Sequence, residues 1–196
     1  GVEVIDDDDN LLYTLTGPVD PGPQLQSQNS IVHGATMFRR KAVEDIGGYD
    51  EFFKFCQDYD LWIRLHRAGC PIRTIQQPLY QLRREVEILS VERRRKIAFY
   101  GLLARMAEDK KEQCKQRAKT EGLDAIYGML STAKRGRYHR QLTLANIENQ
   151  DRTAALWNGV QCVQKCPGQL KSYLYLGVSL LPRTVANQIL SNISGR

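Results

Sequence analysis

An abrupt change of charge near Ser90 constrains this chain more than any other feature. Residues 1–90 contain 9 Lys and Arg against 14 Asp and Glu, whereas residues 91–196 contain 19 against 8. A shift of this size suggests two units with different surroundings. We therefore expect two domains, 1–90 and 91–196. The basic domain either contacts an anionic partner or presents a solvated helical surface.

The first domain mixes short strands with short helices. Hydrophobic runs between turn residues predict strands at 2–5, 11–16, 35–38, 71–76 and 79–82, and helices at 40–46 and 58–68. This alternation is typical of an α/β domain. About five short strands, with no Gly-rich nucleotide-binding loop, predict only half of a Rossmann-like sheet.

The second domain is predicted to be all α. Ser90 is a suitable N-cap for a long helix over 91–119, a stretch in which Gly101 is the only Gly or Pro. Shorter helices are predicted at 124–130, 138–146, 152–165 and 170–181. The residues around Ala154, Ala155, Trp157 and Pro167 resemble a tetratricopeptide-like helix hairpin.

Other patterns narrow the class of protein. No run of about 18 apolar residues is long enough to span a membrane, and the N-terminus does not resemble a signal peptide. The five cysteines lack the close pairing of a zinc site, which favours free thiols in a reducing compartment. The chain begins at Gly1 and not at Met. We expect a processed or partial cytoplasmic protein.

The densest chemistry lies in four blocks. They read His-Gly-Ala-Thr-Met-Phe-Arg-Arg at 33–40, Gly-Gly-Tyr-Asp-Glu at 47–51, Gln-Asp-Tyr-Asp-Leu-Trp-Ile-Arg-Leu at 57–65 and Pro-Leu-Tyr-Gln-Leu-Arg-Arg at 78–84. In order and spacing they closely resemble the acceptor-side half of family 2 glycosyltransferases. The resemblance covers residues 1–90 and implies part of a GT-A fold. It further implies that the donor-side half lies upstream.

Inverting glycosyl transfer needs a base that takes a proton from the acceptor hydroxyl, and a carboxylate in a cleft suits this task. By resemblance, Asp58 is that base and Asp60 a supporting carboxylate. Helix geometry directs the two side chains apart. The alternative for Asp58 is a helix N-cap, because Asp is a favoured residue at that position. Gln57 stands where the family usually has Glu, which leaves Asp58 to carry the motif.

Four further residues are implied as acceptor-binding or supporting groups, each with a structural alternative. His33 donates to a sugar hydroxyl or is structural. Gly47 and Gly48 allow close approach of a sugar or simply end a helix. Trp62 supports the site or packs in the core. Arg64 is spaced to form a surface ion pair with Asp60.

The last block implies that Arg83 and Arg84 contact the donor diphosphate, a role that suits a guanidinium group. Glu85 stands where the family often has His, which weakens that role. The run Asp6–Asp9 is either an exposed turn or the Asp-x-Asp metal motif of the fold. We favour the turn, so no metal ligand is expected in this fragment. The divalent cation, Mg or Mn, is then held upstream, and the fragment is inactive alone.

We therefore expect a fragment of a glycosyltransferase that moves a sugar from a nucleotide-sugar donor to a glycan or lipid-linked acceptor. Its product would be a cell-surface polysaccharide or glycoconjugate. Arg93, Arg94, Arg95 and Lys96 would hold the protein peripherally on the anionic inner face of the membrane. The alternatives are a non-enzymatic interaction protein and a basic nucleic-acid-binding module. The latter lacks a recognised base-reading motif, and no nucleic-acid partner is expected.

Overall fold

The computed structural model describes residues 1–83, 90–149, 151–182, 184–186 and 188–189. The chain divides into two compact units, Gly1–Glu87 and Ile88–Arg196. The first unit contains a small mixed sheet with short helices, and the second is helical. The division falls close to Ser90, where the charge changes sign.

The first unit is built on a three-stranded sheet with the order β2-β1-β3. Its strands are β1 (Val2–Ile5), β2 (Leu11–Leu15) and β3 (Tyr80–Arg83). β1 and β2 form the predicted antiparallel hairpin, and β3 pairs in parallel with β1. The hairpin turns at the acidic run, where Asp6 accepts hydrogen bonds from the Asp8 and Asn10 amides at 2.9 and 2.8 Å. The turn interpretation of this run is thus confirmed.

Two helices follow, α1 (Arg40–Glu44) and α2 (Gln57–Arg67), as the sequence predicts. α2 is buried around most of its circumference, because residues 59–63 and Leu65 are all buried, and Leu61 and Ile63 are fully inaccessible to solvent. It packs against a 3₁₀ helix, Gly22–Gln26. The Tyr59 hydroxyl donates to the Leu25 carbonyl at 2.5 Å, which ties the two helices together.

Two predicted strands are wrong. At 35–38, Ala35 ends a 3₁₀ helix, His33–Ala35, and residues 36–38 continue as extended chain outside the sheet. Residues 71–76 are also irregular; Thr74 makes a single backbone hydrogen bond to Val19. In both places hydrophobic residues are present, but Met37 and Ile75 are 97% and 62% exposed. The hydrophobic residues of these two segments therefore did not indicate that the segments pair with other strands in the sheet.

The second unit contains six helices among its described elements: α3 (Val91–Ala104), α4 (Glu108–Glu121), α5 (Ala125–Met129), α6 (Thr132–Glu148), α7 (Arg152–Lys165) and α8 (Leu170–Leu180). Ser90 caps α3 as predicted, since its side chain accepts from the Arg93 amide. α7 packs between its neighbours α6 and α8 in the chain. A tetratricopeptide-like hairpin stays a prediction.

The single long helix predicted over 91–119 is wrong. Arg105, Met106 and Ala107 separate α3 from α4, with Ala107 in an extended conformation. No Gly or Pro marks the break, so helix propensity could not reveal it. Tertiary packing accounts for it instead: Met106 turns inward and its sulfur lies 3.8 Å from the Cys114 sulfur in α4. Met106 is 3% exposed.

Candidate functional site

The predicted base, Asp58, lies in the first turn of α2 but does not cap it. The N-cap is Cys56, which adopts a left-handed conformation with φ 59°. The N-cap alternative for Asp58 is therefore wrong. Its carboxylate is half-buried and accepts a hydrogen bond from the Asn29 side-chain amide at 3.1 Å. Asp58 thus retains a carboxylate that the helix backbone does not use.

Asp60, two residues further on, is fully buried. Its carboxylate oxygen lies 2.7 Å from Nε of Arg64, whose side chain is 16% exposed. The spacing is the predicted one, but the pair is internal and not on the surface. A buried carboxylate needs compensating partners, and the Arg64 guanidinium supplies one to Asp60 inside the fold.

Arg64 also fixes the loop that follows α1. Its two terminal nitrogens donate to the Ile46 carbonyl at 3.0 Å and to the Gly48 carbonyl at 2.7 Å. Gly47 and Gly48 adopt φ values of 82° and 70°, a region that favours glycine. Their amides bond back to the Glu44 and Val43 carbonyls, so the pair ends α1. Gly47 and Gly48 therefore end α1, as one of the two predictions for them stated. Arg64 holds the turn that they form through its hydrogen bonds to the Ile46 and Gly48 carbonyls.

The residue after this turn, Tyr49, reaches the predicted acceptor-binding histidine. The Tyr49 hydroxyl lies 2.8 Å from Nε2 of His33. The His33 ring also packs edge-on against Trp62, with centroids 5.9 Å apart. Phe38 approaches Trp62 from the same loop, at 6.1 Å. Both Phe38 and Tyr49 remain about two-fifths exposed, at 43% and 40%.

Trp62 lies beneath these rings and is 2% exposed, so its core-packing interpretation is confirmed. Yet its indole Nε1 is buried without a hydrogen-bond partner among the described residues. Ser30 Oγ is in the same condition. Buried donors are nearly always paired, so an unpaired donor invites an explanation from function.

Gly34 connects this group to the sheet. A Cβ atom added there would lie 2.5 Å from the Tyr80 hydroxyl oxygen, so the loop and β3 are in close contact. His33, Tyr49 and Trp62 thus form one aromatic group, in which Trp62 comes from α2 and His33 from the loop from 28 to 39. We call these three residues, with Phe38, the aromatic group.

Arg83, one of the two residues predicted to contact the donor diphosphate, binds to the acidic run Asp6–Asp9. Arg83 donates to Asp9 and to the Asp6 carbonyl, both at 2.5 Å. The hydrogen bond from the Asn10 amide lowers the pKa of Asp6, and the Asp9 carboxylate raises the pKa of Arg83. The Asp6 carboxylate is therefore engaged in the turn, and the Asp9 carboxylate is engaged with Arg83. Arg84 and Glu85 lie outside the described residues.

The structure brings His33, Trp62, Asp60 and the Gly47–Gly48 turn together through Arg64 and Tyr49. Asp58 begins the same helix, but its hydrogen bond goes to Asn29. Sequence reasoning missed Asn29, Tyr49 and Phe38 as members of the site. Tyr49 and Phe38 stand inside the four blocks and could have been found there, whereas nothing local marks Asn29.

In the second unit, the basic run at the start of α3 is largely paired. Arg94 pairs with Glu148, Arg95 with Asp124, and Lys96 with Glu92. Among the described helices, none is both long enough and apolar enough to cross a membrane. Within the same residues, no group of three His, Cys, Asp or Glu side chains could hold a metal ion.

Comparison with protein-family models, curated proteins and solved structures finds no match to this chain. The assignment of function therefore rests on the residues of the site and their geometry.

Proposed function

We propose that this chain is the acceptor-side part of an inverting glycosyltransferase. It transfers a sugar from a nucleotide-sugar donor to a glycan or lipid-linked acceptor, in the synthesis of a cell-surface polysaccharide or glycoconjugate. The small mixed sheet with α2 is then part of a GT-A domain. The observation that carries the proposal is the half-buried Asp58 carboxylate at the start of α2, free of a capping role.

Asp58 acts as the general base. Its carboxylate accepts the proton of the acceptor hydroxyl while that oxygen bonds to the anomeric carbon, and the nucleoside diphosphate leaves from the opposite face. The sugar is thereby inverted at this carbon. Asn29, which donates to Asp58, orients the carboxylate so that its other lone pairs face the acceptor.

The aromatic group forms the floor of the acceptor site. The partly exposed rings of Phe38 and Tyr49 offer apolar faces to the C–H face of a sugar. His33, hydrogen-bonded to Tyr49, offers a ring nitrogen to a sugar hydroxyl. Arg64 supports this floor indirectly, because it holds the Gly48 carbonyl, and Gly48 precedes Tyr49 in the chain.

The divalent cation belongs, in this proposal, to residues outside the described site. The acidic run does not fit it, because the Asp6 carboxylate is bound within its turn and Asp9 is paired with Arg83. When bound, the cation would neutralise the leaving diphosphate. Arg83 would contact the donor only after releasing Asp9.

The test uses the complete protein encoded by the parent reading frame, assayed for nucleoside diphosphate release from nucleotide sugars with Mg²⁺ or Mn²⁺. Asp58→Asn should lower turnover by about 10²-fold or more, the scale of general-base catalysis. The apparent affinity for the donor should change little, since the base meets the acceptor. Asp45→Asn is the matched control, because Asp45 is an exposed carboxylate paired with Lys41 on α1.

Two results would overturn the proposal. One is a complete protein that releases no nucleoside diphosphate from any nucleotide sugar while remaining folded. The other is an Asp58→Asn variant whose turnover falls no further than that of Asp45→Asn, which would reduce Asp58 to a surface residue.

A further inference from the structure

The second unit carries a net positive charge, but its cations differ in what surrounds them. In the run at the start of α3, Lys96 is paired with Glu92, one turn away in the same helix, at 2.7 Å. Arg94 and Arg95 are paired with acidic residues of other segments. A paired cation has little remaining attraction for an external anion. The membrane contact predicted for this run stays a prediction, and cations without carboxylate partners are better candidates for binding an external anion.

A second set of cations has no such partners. Lys134 and Arg137 lie one turn apart on the same face of α6, and Lys110 lies in the first turn of α4. Within the described residues, none of these three side chains forms an ion pair. We call Lys110, Lys134 and Arg137 the cation cluster.

Lys110 lies one helical turn from Cys114 in α4, and Lys134 and Arg137 lie one turn apart in α6. Burial lowers the pKa of Lys134, and the charges of Arg105, Lys110 and Arg137 lower it further. The first turn of α6 adds to this repulsion, because the positive end of the helix dipole lies there and the turn contains no acidic residue. Several like charges are thus held together at a cost that an external anion would remove.

An apolar side chain lies beside these charges. The sulfur of Met129 is 3.9 Å from the Cys114 sulfur, and Cys114 lies one helical turn from Lys110 in α4. Met129 is 37% exposed. Cations next to an exposed flexible hydrophobic side chain suit the interface of a bilayer, where phosphates meet hydrocarbon.

We propose that the cation cluster, together with Met129, is the surface by which the second unit adheres to an anionic phospholipid membrane. The lipid phosphates replace the missing carboxylates, and Met129 enters the boundary between headgroups and acyl chains. This inference does not rest on glycosyl transfer, since it concerns the second unit alone and needs no substrate.

The experiment is sedimentation of the chain with vesicles of phosphatidylcholine, either pure or with about a third of phosphatidylglycerol, across a salt series. Binding should require the anionic lipid and weaken as salt rises, because exposed charges are screened over about 8 Å at physiological ionic strength. Reversal of the cation cluster, Lys110→Glu with Lys134→Glu and Arg137→Glu, should lower the partition coefficient by about two orders of magnitude or more. Each cation near such a surface contributes roughly fivefold.

The matched control reverses three exposed lysines outside the cluster, Lys54, Lys119 and Lys171. It changes the net charge by the same amount and should keep most of the binding. Circular dichroism checks that both variants are folded. If the Glu variant unfolds, the corresponding Gln variant replaces it. Met129→Ser should weaken binding without altering its salt dependence.

Three results would overturn the inference. The wild-type chain fails to sediment with anionic vesicles even at low salt, or the control reversal lowers binding as much as reversal of the cluster. The third is competition: inorganic phosphate or duplex DNA, at charge concentrations matching the lipid, displaces the chain from vesicles completely. That would assign the cluster to a soluble phosphate or to a nucleic acid.

Discussion

α2 and α6 both bury ionisable or polar side chains, and the two helices treat them differently. In α6, His139 is 3% exposed and both ring nitrogens are paired, Nε2 with the Tyr127 hydroxyl at 2.7 Å and Nδ1 with Asn158 Oδ1 at 2.8 Å. Asn158 in turn donates to the Ala154 carbonyl. Every member of this network has a partner inside the second unit.

Around α2, the polar network is open at one side. Arg64 satisfies Asp60 and two loop carbonyls, but Trp62 Nε1 is left without an acceptor in the described part of the chain. The partly exposed Phe38 ring packs against the Trp62 indole. A closed network specifies a core, whereas an incomplete one next to an accessible surface indicates a site whose last partners come from outside. A functional site is therefore expected at α2 and not at His139.

The largest effect that tests this comparison is expected at Arg64. Replacement by Met keeps the aliphatic volume but removes the Arg64 ion pair from the buried Asp60 carboxylate. Loss of one partner from a buried pair costs about 3–5 kcal/mol of unfolding free energy. Urea denaturation of the chain, followed by tryptophan fluorescence, measures it. Trp157→Phe in the background restricts the fluorescence to Trp62 in the first unit.

Arg40→Met is the control for that substitution. Arg40 forms an ion pair with Glu44 of the same spacing, but the Arg40 side chain is 90% exposed. Its removal should change the unfolding free energy very little, because exposed pairs contribute little. Adding Asp60→Asn to Arg64→Met should recover part of the loss. Equal effects of Arg64→Met and Arg40→Met would show that the Asp60–Arg64 pair does not hold the loop.

The sequence predicted α2 and α7 closely because amphipathic spacing and flanking Gly or Pro act locally. It did not predict the break between α3 and α4, since Met106 and Cys114 meet only through tertiary packing. The same limit applies to the site. Asp60 and Arg64 are one helical turn apart and were foreseen as a pair, but their burial depends on the Gly47–Gly48 loop. Asn29 is 29 residues from Asp58, so no local pattern could join them.

The closed network of α6 predicts a smaller, pH-dependent effect. Burial is the main cause that lowers the pKa of His139 below its ordinary value of 6.5. The unfolded chain therefore binds the proton more readily than the native protein. The stability due to neutral His139 should be complete above about pH 6.5 and be lost as the pH falls below it.

Thermal unfolding followed by circular dichroism between about pH 7.5 and 5.5 measures this loss. His139→Gln removes the titrating group, so the midpoint of the variant should depend less on pH than that of the wild type. A variant with the same pH dependence as the wild type would show that His139 is not the group responsible. The fully paired His139 network in α6 could then no longer serve as the contrast to the incomplete network around α2.

The smallest effects concern the starts of two helices, one in each unit. Ser90 caps α3 through a hydrogen bond to the Arg93 amide, so Ser90→Ala should cost about 1 kcal/mol. Asp58 makes no capping bond in α2, because Cys56 is the N-cap. Asp58→Asn should therefore change the unfolding free energy by less than Ser90→Ala, and Asn retains an oxygen that accepts from Asn29.

Urea denaturation reports the first unit by Trp62 fluorescence and the second mainly by circular dichroism. A loss at Asp58 as large as that at Ser90 would mean that its carboxylate stabilises the helix after all. A negligible loss, with turnover reduced in the complete protein, would leave catalysis as the reason for a carboxylate at this position.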